Sequence, residues 1–199
     1  EKYPYQFRVV NDTEINAFAL PGGFVYVNRG IFESADNEAQ LAGVMGHEIS
    51  HVALRHGTTQ MTKSSGAAAI IAIMPKGKSA ASTIFQAGAT LGLNVGMMRF
   101  SRDAESQADL MGTQILYDSG YDPIAMPQFF QKLDDGSSRS SQFFSDHPNP
   151  GNRITAVKGE IAKLGTVRAT RQDSAEFQAA KQRIHAMPQP KPKPTQPAP

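Results

Sequence analysis

The sequence predicts an α+β domain, mainly α, in which a small antiparallel sheet near the N-terminus packs on a helix that carries a candidate metal site. Three observations carry this. Residues 5–32 hold short β-rich runs broken by turn residues; His47-Glu48-Ile49-Ser50-His51 lies in an apolar segment of helical period; and further helical patterns follow between residues 101 and 187. A chain of 199 residues, 40% hydrophobic and 19% charged, has room for one sizeable core and not comfortably for two. The net charge of +2, with no basic stripe, argues against a nucleic-acid partner. Cysteine is absent, so disulfides and thiolate ligands are excluded and a zinc ion would have to use His and carboxylate. The chain opens on Glu1 without a charged-then-apolar leader, which reads as a mature or trimmed form.

Gln6 to Val10 is β-rich, Asn11-Asp12 marks a turn, and Ile15 to Leu20 and Phe24 to Val27 flank Pro21-Gly22-Gly23. Together they read as an antiparallel meander closed by Asn28-Arg29-Gly30. Asn37, with Gln40 three residues later, marks a helix start, and the helix is expected to run to about Gly57, which offers a C-cap. Leu41, Val44, Met45, Ile49, Val52 and Leu54 make it apolar nearly all round, so its histidines are expected in the interior, where imidazoles need partners. His47 and His51 stand one turn apart on one face, and both rings can reach one ion. Glu48 points to the flank of that face, where its carboxylate can act as a base beside the ion. His56 lies off the face and is read as structural.

Between Ser64 and Met98 the chain is rich in Ala, Gly, Ile and Met. Ala67 to Met74 is too short to span a membrane, and Ala80 to Met98 is interrupted by polar residues and glycines, so a buried or interfacial helix is expected, with Gly88, Gly92 and Gly96 offering a smooth packing face or mere flexibility. Ser101 to Tyr117 returns to helix. Its Glu105 and Asp109 share a face, and a histidine pair still short of a ligand makes Glu105 the candidate for a His₂Glu site, with Asp109 free to hold a ligand imidazole through its ring N–H. A helix from Asp122 to about Asp135, a Ser-rich loop over Gly136 to Ser141 and a rigid, extended Ser145-Asp146-His147-Pro148-Asn149-Pro150 follow. The next helix, Gly151 to Leu164, carries Arg153 in its first turn, an unfavourable place for a cation that hints at a job or at an ion pair. Asp173 to Met187 reads as a last helix, and Pro188 to Pro199 as a Pro-rich tail without core-forming residues.

With H-E-I-S-H at 47–51, E-S-Q-A-D at 105–109, S-D-H-P-N-P-G-N-R-I at 145–154, and Asn16-Ala17-Phe18-Ala19 ahead of Pro21-Gly22-Gly23, the chain resembles the HtpX and CAAX prenyl endopeptidase-like zinc metallopeptidases, of the gluzincin type. The likeness covers roughly residues 5–165. It implies a zincin-type catalytic domain over 1–165, followed by a helical extension over 166–187 and the tail over 188–199. It also implies Zn²⁺ held by His47, His51 and Glu105, with Asp109 in support, Glu48 as the catalytic base, and His147 and Arg153 at the active-site cleft. Asp146 stands where many members carry a small hydroxyl residue. For His147 two roles stay open beside a purely structural turn: a donor to the developing oxyanion, or a further zinc ligand that holds the enzyme shut. The weak apolar segment between the two ligand helices makes the chain similar to the soluble BepA- and LoiP-like bacterial branch. An endopeptidase of the periplasm or cell envelope is then expected, lipid-anchored or free. It would act on extended or unfolded protein, with a membrane surface or an outer-membrane assembly partner nearby. The competing reading is a client-holding, chaperone-like module with a structural zinc, against which an intact Glu48 argues.

Overall fold

In the computed structural model, residues 3–61, 100–134, 141–148, 152–165 and 171–190 are described. The expectations for Ser64 to Met98, for the loop over 136–140 and for the tail beyond residue 190 lie outside them. Three strands, β1 (Gln6–Val10), β2 (Ala17–Leu20) and β3 (Phe24–Asn28), form one sheet in the order β1-β3-β2. The α+β, mainly helical class is as expected, but the sheet is mixed rather than antiparallel: β2 pairs β3 antiparallel, whereas β1 pairs β3 in parallel, with Gln6 opposite Phe24 and Val10 opposite Asn28. The cause lies in the link over 11–16. It does not turn back as a hairpin but crosses the end of β3, held where Asn28 N–H donates to the Asn16 carbonyl at 3.0 Å and Gly30 N–H to the Asp12 carbonyl at 3.0 Å. A Cβ on Gly30 would stand 2.5 Å from the carbonyl oxygens of Thr13 and Glu14, so only glycine lets the link lie this close.

Instead of a closing turn, Arg29–Ser34 forms a short helix, α1. The long helix α2 (Glu38–Ala53) starts as expected, with Asn37 as N-cap accepting from Gln40 N–H at 3.0 Å. Gln40 completes the cap by accepting from Asp36 N–H at 2.8 Å. Its end differs from the Gly57 cap. The helix stops at Ala53, Leu54 is the C-cap, Arg55 takes a left-handed φ of 58°, and residues 56–61 start a new helical run. Helix α3 (Arg102–Asp118) starts at the N-cap Ser101, and α4 (Ala125–Leu133) follows. Where a rigid extended segment was expected from Ser145, Ser141–Asp146 forms a short helix, α5, which carries His147 on its last turn through a bond from His147 N–H to the Phe143 carbonyl. Helices α6 (Arg153–Lys163) and α7 (Ala175–Ala186) complete the described chain.

One hydrophobic cluster joins the sheet to the helices: Val25 and Val27 from β3, Val44 from α2, Leu116 from α3, Phe129 and Phe130 from α4, Phe143 from α5, Val157 from α6 and Phe177 from α7. Full burial of such side chains contributes about 1.5–3 kcal/mol apiece. Helix α2 is the hub, packed against β2, α3 and α4. Its contact with α3 is glycine on glycine. A Cβ at Gly46 would stand 2.9 Å from Leu116 Cδ1, and one at Gly112 would stand 3.1 Å from the backbone nitrogen of His47. That close approach brings the histidines of α2 within reach of the carboxylates of α3. The segment after residue 170 is strapped to the start of α2 and to α1, where the fully buried Arg29 donates to the carbonyls of His185 and Met187 at 3.1 and 3.0 Å. Among the described residues no helix is long and apolar enough to cross a membrane.

Candidate metal centre

The interior position of the α2 histidines follows from the helix being apolar on almost every side, and both rings are buried. Their Nε2 atoms stand 3.0 Å apart, since an offset of four residues stacks side chains on one face. Glu105, on the α3 face pressed against them by Gly46 and Gly112, places Oε2 3.3 Å from His47 Nε2 and Oε1 3.4 Å from His51 Nε2. A fourth group arrives from α5: His147 Nδ1 lies 3.2 Å from both His47 Nε2 and Glu105 Oε1. The four side chains are buried and form a group that could hold a metal ion. Tetrahedral bonds of 2.0–2.1 Å to nitrogen and oxygen put donor atoms about 3.3–3.4 Å apart. The measured separations of 3.0 to 3.4 Å match that spacing, and the donor set, three imidazoles and a carboxylate, suits zinc.

Around this group the next layer is well defined. Asp109 Oδ1 faces His47 Nδ1 at 3.0 Å, behind the ring nitrogen that meets the donor group. Arg153, expected at the active-site cleft, lies beside the donor group, turned inward and 2% exposed: Nη2 donates to Glu105 Oε2 at 2.7 Å and Nε to Asp109 Oδ2 at 2.6 Å, while the guanidinium lies over the Phe130 ring at 4.4 Å. This pairing accounts for a cation in the first turn of α6. His147 stacks on Phe143, and His51 on Phe100 at 4.1 Å between centroids. Asp146 accepts from Asn16 Nδ2 at 3.0 Å, which ties α5 to the strand approach. Two partners escape sequence reasoning. His56, set aside by the helical-face argument, comes back over the left-handed Arg55 to place Nδ1 3.0 Å from His51 Nδ1, with Gln107 beyond it. The residue that turns the chain is Arg55 and not the Gly57 two positions on, so the sequence does not place the turn.

The electrostatics are those of a crowded buried site. Burial would lower the His47 pKa, yet the adjoining Glu105 and Asp109 carboxylates outweigh it and raise it to about 9 in the absence of a metal. Burial dominates at His51, whose pKa is driven well down. Glu105 is the reverse case, where burial is overcome by the positive potential of His147 and His47 and the carboxyl is held far below its usual range. For Glu48 burial again leads, pushing the carboxyl up against the opposing pull of His147 and His47. Glu48 is 1% exposed, its Oε1 has no hydrogen-bond partner among the described residues, and His147 Nε2 stands 3.4 Å away from that oxygen.

Glu48 therefore sits beside the four-donor group without belonging to it. Phe24 to Val27 lies in the central β3, paired on both sides, while β2 is an outer strand of the sheet. Next to it, a cavity of about 380 Å³ is lined by Ala19 and Pro21 on one side and by His51, Arg55, Thr58 and Phe100 on the other.

The sequence has counterparts among known proteins. The beta-barrel assembly-enhancing protease of Escherichia coli (strain K12) is 36% identical over 200 residues, covering 94% of this chain and 40% of that protein. The mitochondrial metalloendopeptidase OMA1 of Arabidopsis thaliana is 30% identical over 159 residues, covering 77% and 31%. The metalloprotease LoiP of Escherichia coli (strain K12) is 29% identical over 167 residues, covering 81% and 65%. The chain thus spans about two fifths of the length of the first of these. A sequence profile of Peptidase family M48 matches residues 1–161, from the sheet through the histidine- and carboxylate-bearing helices into α6, and the chain belongs to that family.

Proposed function

We propose that this chain is a zinc-dependent endopeptidase that cuts unfolded or misassembled proteins in the bacterial cell envelope. The carrying observation is the pairing of a buried His47, His51, Glu105 and His147 donor group with a buried Glu48 that adjoins it and stays outside it. His47, His51 and Glu105 would hold the ion, and when bound it supplies Lewis acidity, lowering the pKa of a water and polarising a carbonyl. Glu48 takes a proton from the attacking water and returns it to the leaving amine, and its burial, which raises its affinity for that proton, favours the first transfer. Asp109 holds His47 in orientation, and Arg153 holds Glu105 and Asp109 together. Strand β2, an outer strand beside α2, offers backbone groups to an extended peptide, which fits a preference for unfolded chains over particular sequences. The envelope setting, periplasmic and either free or lipid-anchored, draws support from the beta-barrel assembly-enhancing relatives, and an outer-membrane assembly partner is in keeping with them.

His147 is the resting restraint in this reading. With Nδ1 among the donors and Nε2 against Glu48 it covers both halves of the machinery, and it must swing away before a peptide can enter. The same closed arrangement favours one competing reading, since four protein donors are the pattern of a structural zinc, which would suit a module that holds clients without cutting them. Glu48→Gln separates the two. Purified chain should degrade an unfolded protein, stop on addition of chelator, and lose about 10²- to 10⁴-fold in rate in Glu48→Gln with zinc content retained. Equal turnover in that variant sinks the peptidase reading, and client holding without any cleavage by the natural sequence supports the competing one.

A further inference from the structure

The two histidines of α2 are supported differently. His47 Nδ1 meets the Asp109 carboxylate, whereas His51 Nδ1 stands 3.0 Å from another imidazole nitrogen, His56 Nδ1. The far side of the His56 ring, Nε2, lies 3.2 Å from Gln107 Oε1. Only one placement of protons makes this row compatible with a cation at His51 Nε2. That nitrogen must present its lone pair, so the single N–H of neutral His51 is on Nδ1. His56 Nδ1 must then accept, its own proton sits on Nε2, and that proton is donated to the Gln107 side-chain oxygen, which can only accept.

The backbone is bent to make this contact. Five residues from His51, a continued α2 would carry His56 away from the site, and it is the left-handed Arg55, the one non-glycine residue with positive φ among those described, that returns it. A β-carbon in that region costs roughly 1–2 kcal/mol. Gln107, for its part, is on the surface of α3 two residues beyond Glu105, so the row reaches from His51 of α2 to the helix that carries Glu105.

We propose that His56, set by Gln107, is a positioning residue for His51: a neutral imidazole–amide relay that fixes the tautomer and ring orientation of one metal-facing histidine while Asp109 serves the other. The inference rests on the zinc reading above. It also makes the site asymmetric, with an anionic partner behind His47 and an uncharged one behind His51.

The test is zinc affinity of the full chain by competition with a chromogenic chelator, together with the visible absorption of the Co²⁺-loaded protein and the melting of the metal-free protein. Losing the acceptor in His56→Leu should loosen zinc by about 10- to 100-fold and change the cobalt spectrum. His56→Asn, whose side-chain oxygen can stand near the place of Nδ1, should recover most of that loss. Gln107→Leu, at an exposed position that leaves folding intact, should loosen zinc by a smaller factor. Gln107→Glu should tighten it, because an anion at the end of the relay makes His51 a more basic ligand. The proposal is overturned if His56→Asn is no better than His56→Leu, since packing of the ring would then explain the effect, or if the Gln107 variants leave zinc affinity and the cobalt spectrum unchanged. A natural sequence that binds no stoichiometric zinc would overturn the parent reading itself, a result that stands apart from any difference among the variants.

Discussion

Arg153 is the residue on which the buried charges of the site converge. Its guanidinium meets Glu105 and Asp109 at once, and a planar fork with fixed donor directions can do so where a lysine ammonium cannot. Each carboxylate thereby has one oxygen engaged by Arg153 and the other turned to an imidazole, Glu105 Oε1 to His147 and Asp109 Oδ1 to His47. Arg153→Met should therefore strip two buried carboxylates of their counter-charge, and removing one partner of a buried pair costs about 3–5 kcal/mol. The loss should be largest in metal-free protein and smaller with zinc bound, since the ion neutralises the charge on Glu105. Thermal melting of both proteins with chelator and with saturating zinc measures the difference, and an equal drop in the two conditions would detach Arg153 from the metal site. The sequence could not show this, because an arginine in a first helical turn reads the same whether it meets solvent or two acids.

Between elements the controlling feature is the glycine contact of α2 with α3. Gly112→Ala ought to help α3 by helix propensity alone, by up to about 1 kcal/mol. Its Cβ would instead stand 3.1 Å from His47 N and 3.3 Å from Gly46 C, both main-chain atoms of the histidine helix, which cannot rotate aside. We expect a net destabilisation of about 1–3 kcal/mol, as for other overpacked cores, with zinc affinity falling as the donors are pushed apart. Denaturant unfolding with and without zinc checks both parts, and a variant more stable than the parent would show that the helices can part without cost. The start of α2, the run of α3 and the offsets 47/51 and 105/109 were all legible, because capping and helical period are local properties of a short stretch. Other features were not legible, for physical reasons. The parallel pairing of β1 depends on Gly30 admitting a crossing link, the approach of α2 to α3 on two glycines nearly 70 positions apart, and the end of α2 on a left-handed arginine. Pairing and close approach are decided between segments, and periodicity within one segment carries no record of them.

At the scale of the whole molecule, the centre closes only when three distant stretches meet, and the last to arrive is His147, one hundred positions from His47. Its place at the end of α5 is held by the stack on Phe143 and by Asp146 reaching Asn16, so the histidine leaves or returns with a piece of tertiary structure rather than by a rotamer change alone. For drug-like chelators this has a kinetic and thermodynamic cost. In the proposed zinc enzyme a hydroxamate would need the coordination position that His147 would fill, so its apparent affinity would be the intrinsic one scaled by the fraction of molecules in which the histidine has withdrawn. If that fraction is about one in a hundred, the compound loses about a hundred-fold in potency and shows slow onset. His147→Ala should then bind the same hydroxamate faster and more tightly and cut an unfolded substrate at a higher basal rate, whereas an oxyanion-donor role predicts slower cutting with unchanged inhibitor onset. Potency ranked against the natural sequence would reflect how readily the molecule opens more than how well a compound fits it, and compounds that grip the β2 edge and leave the ion alone would escape that penalty.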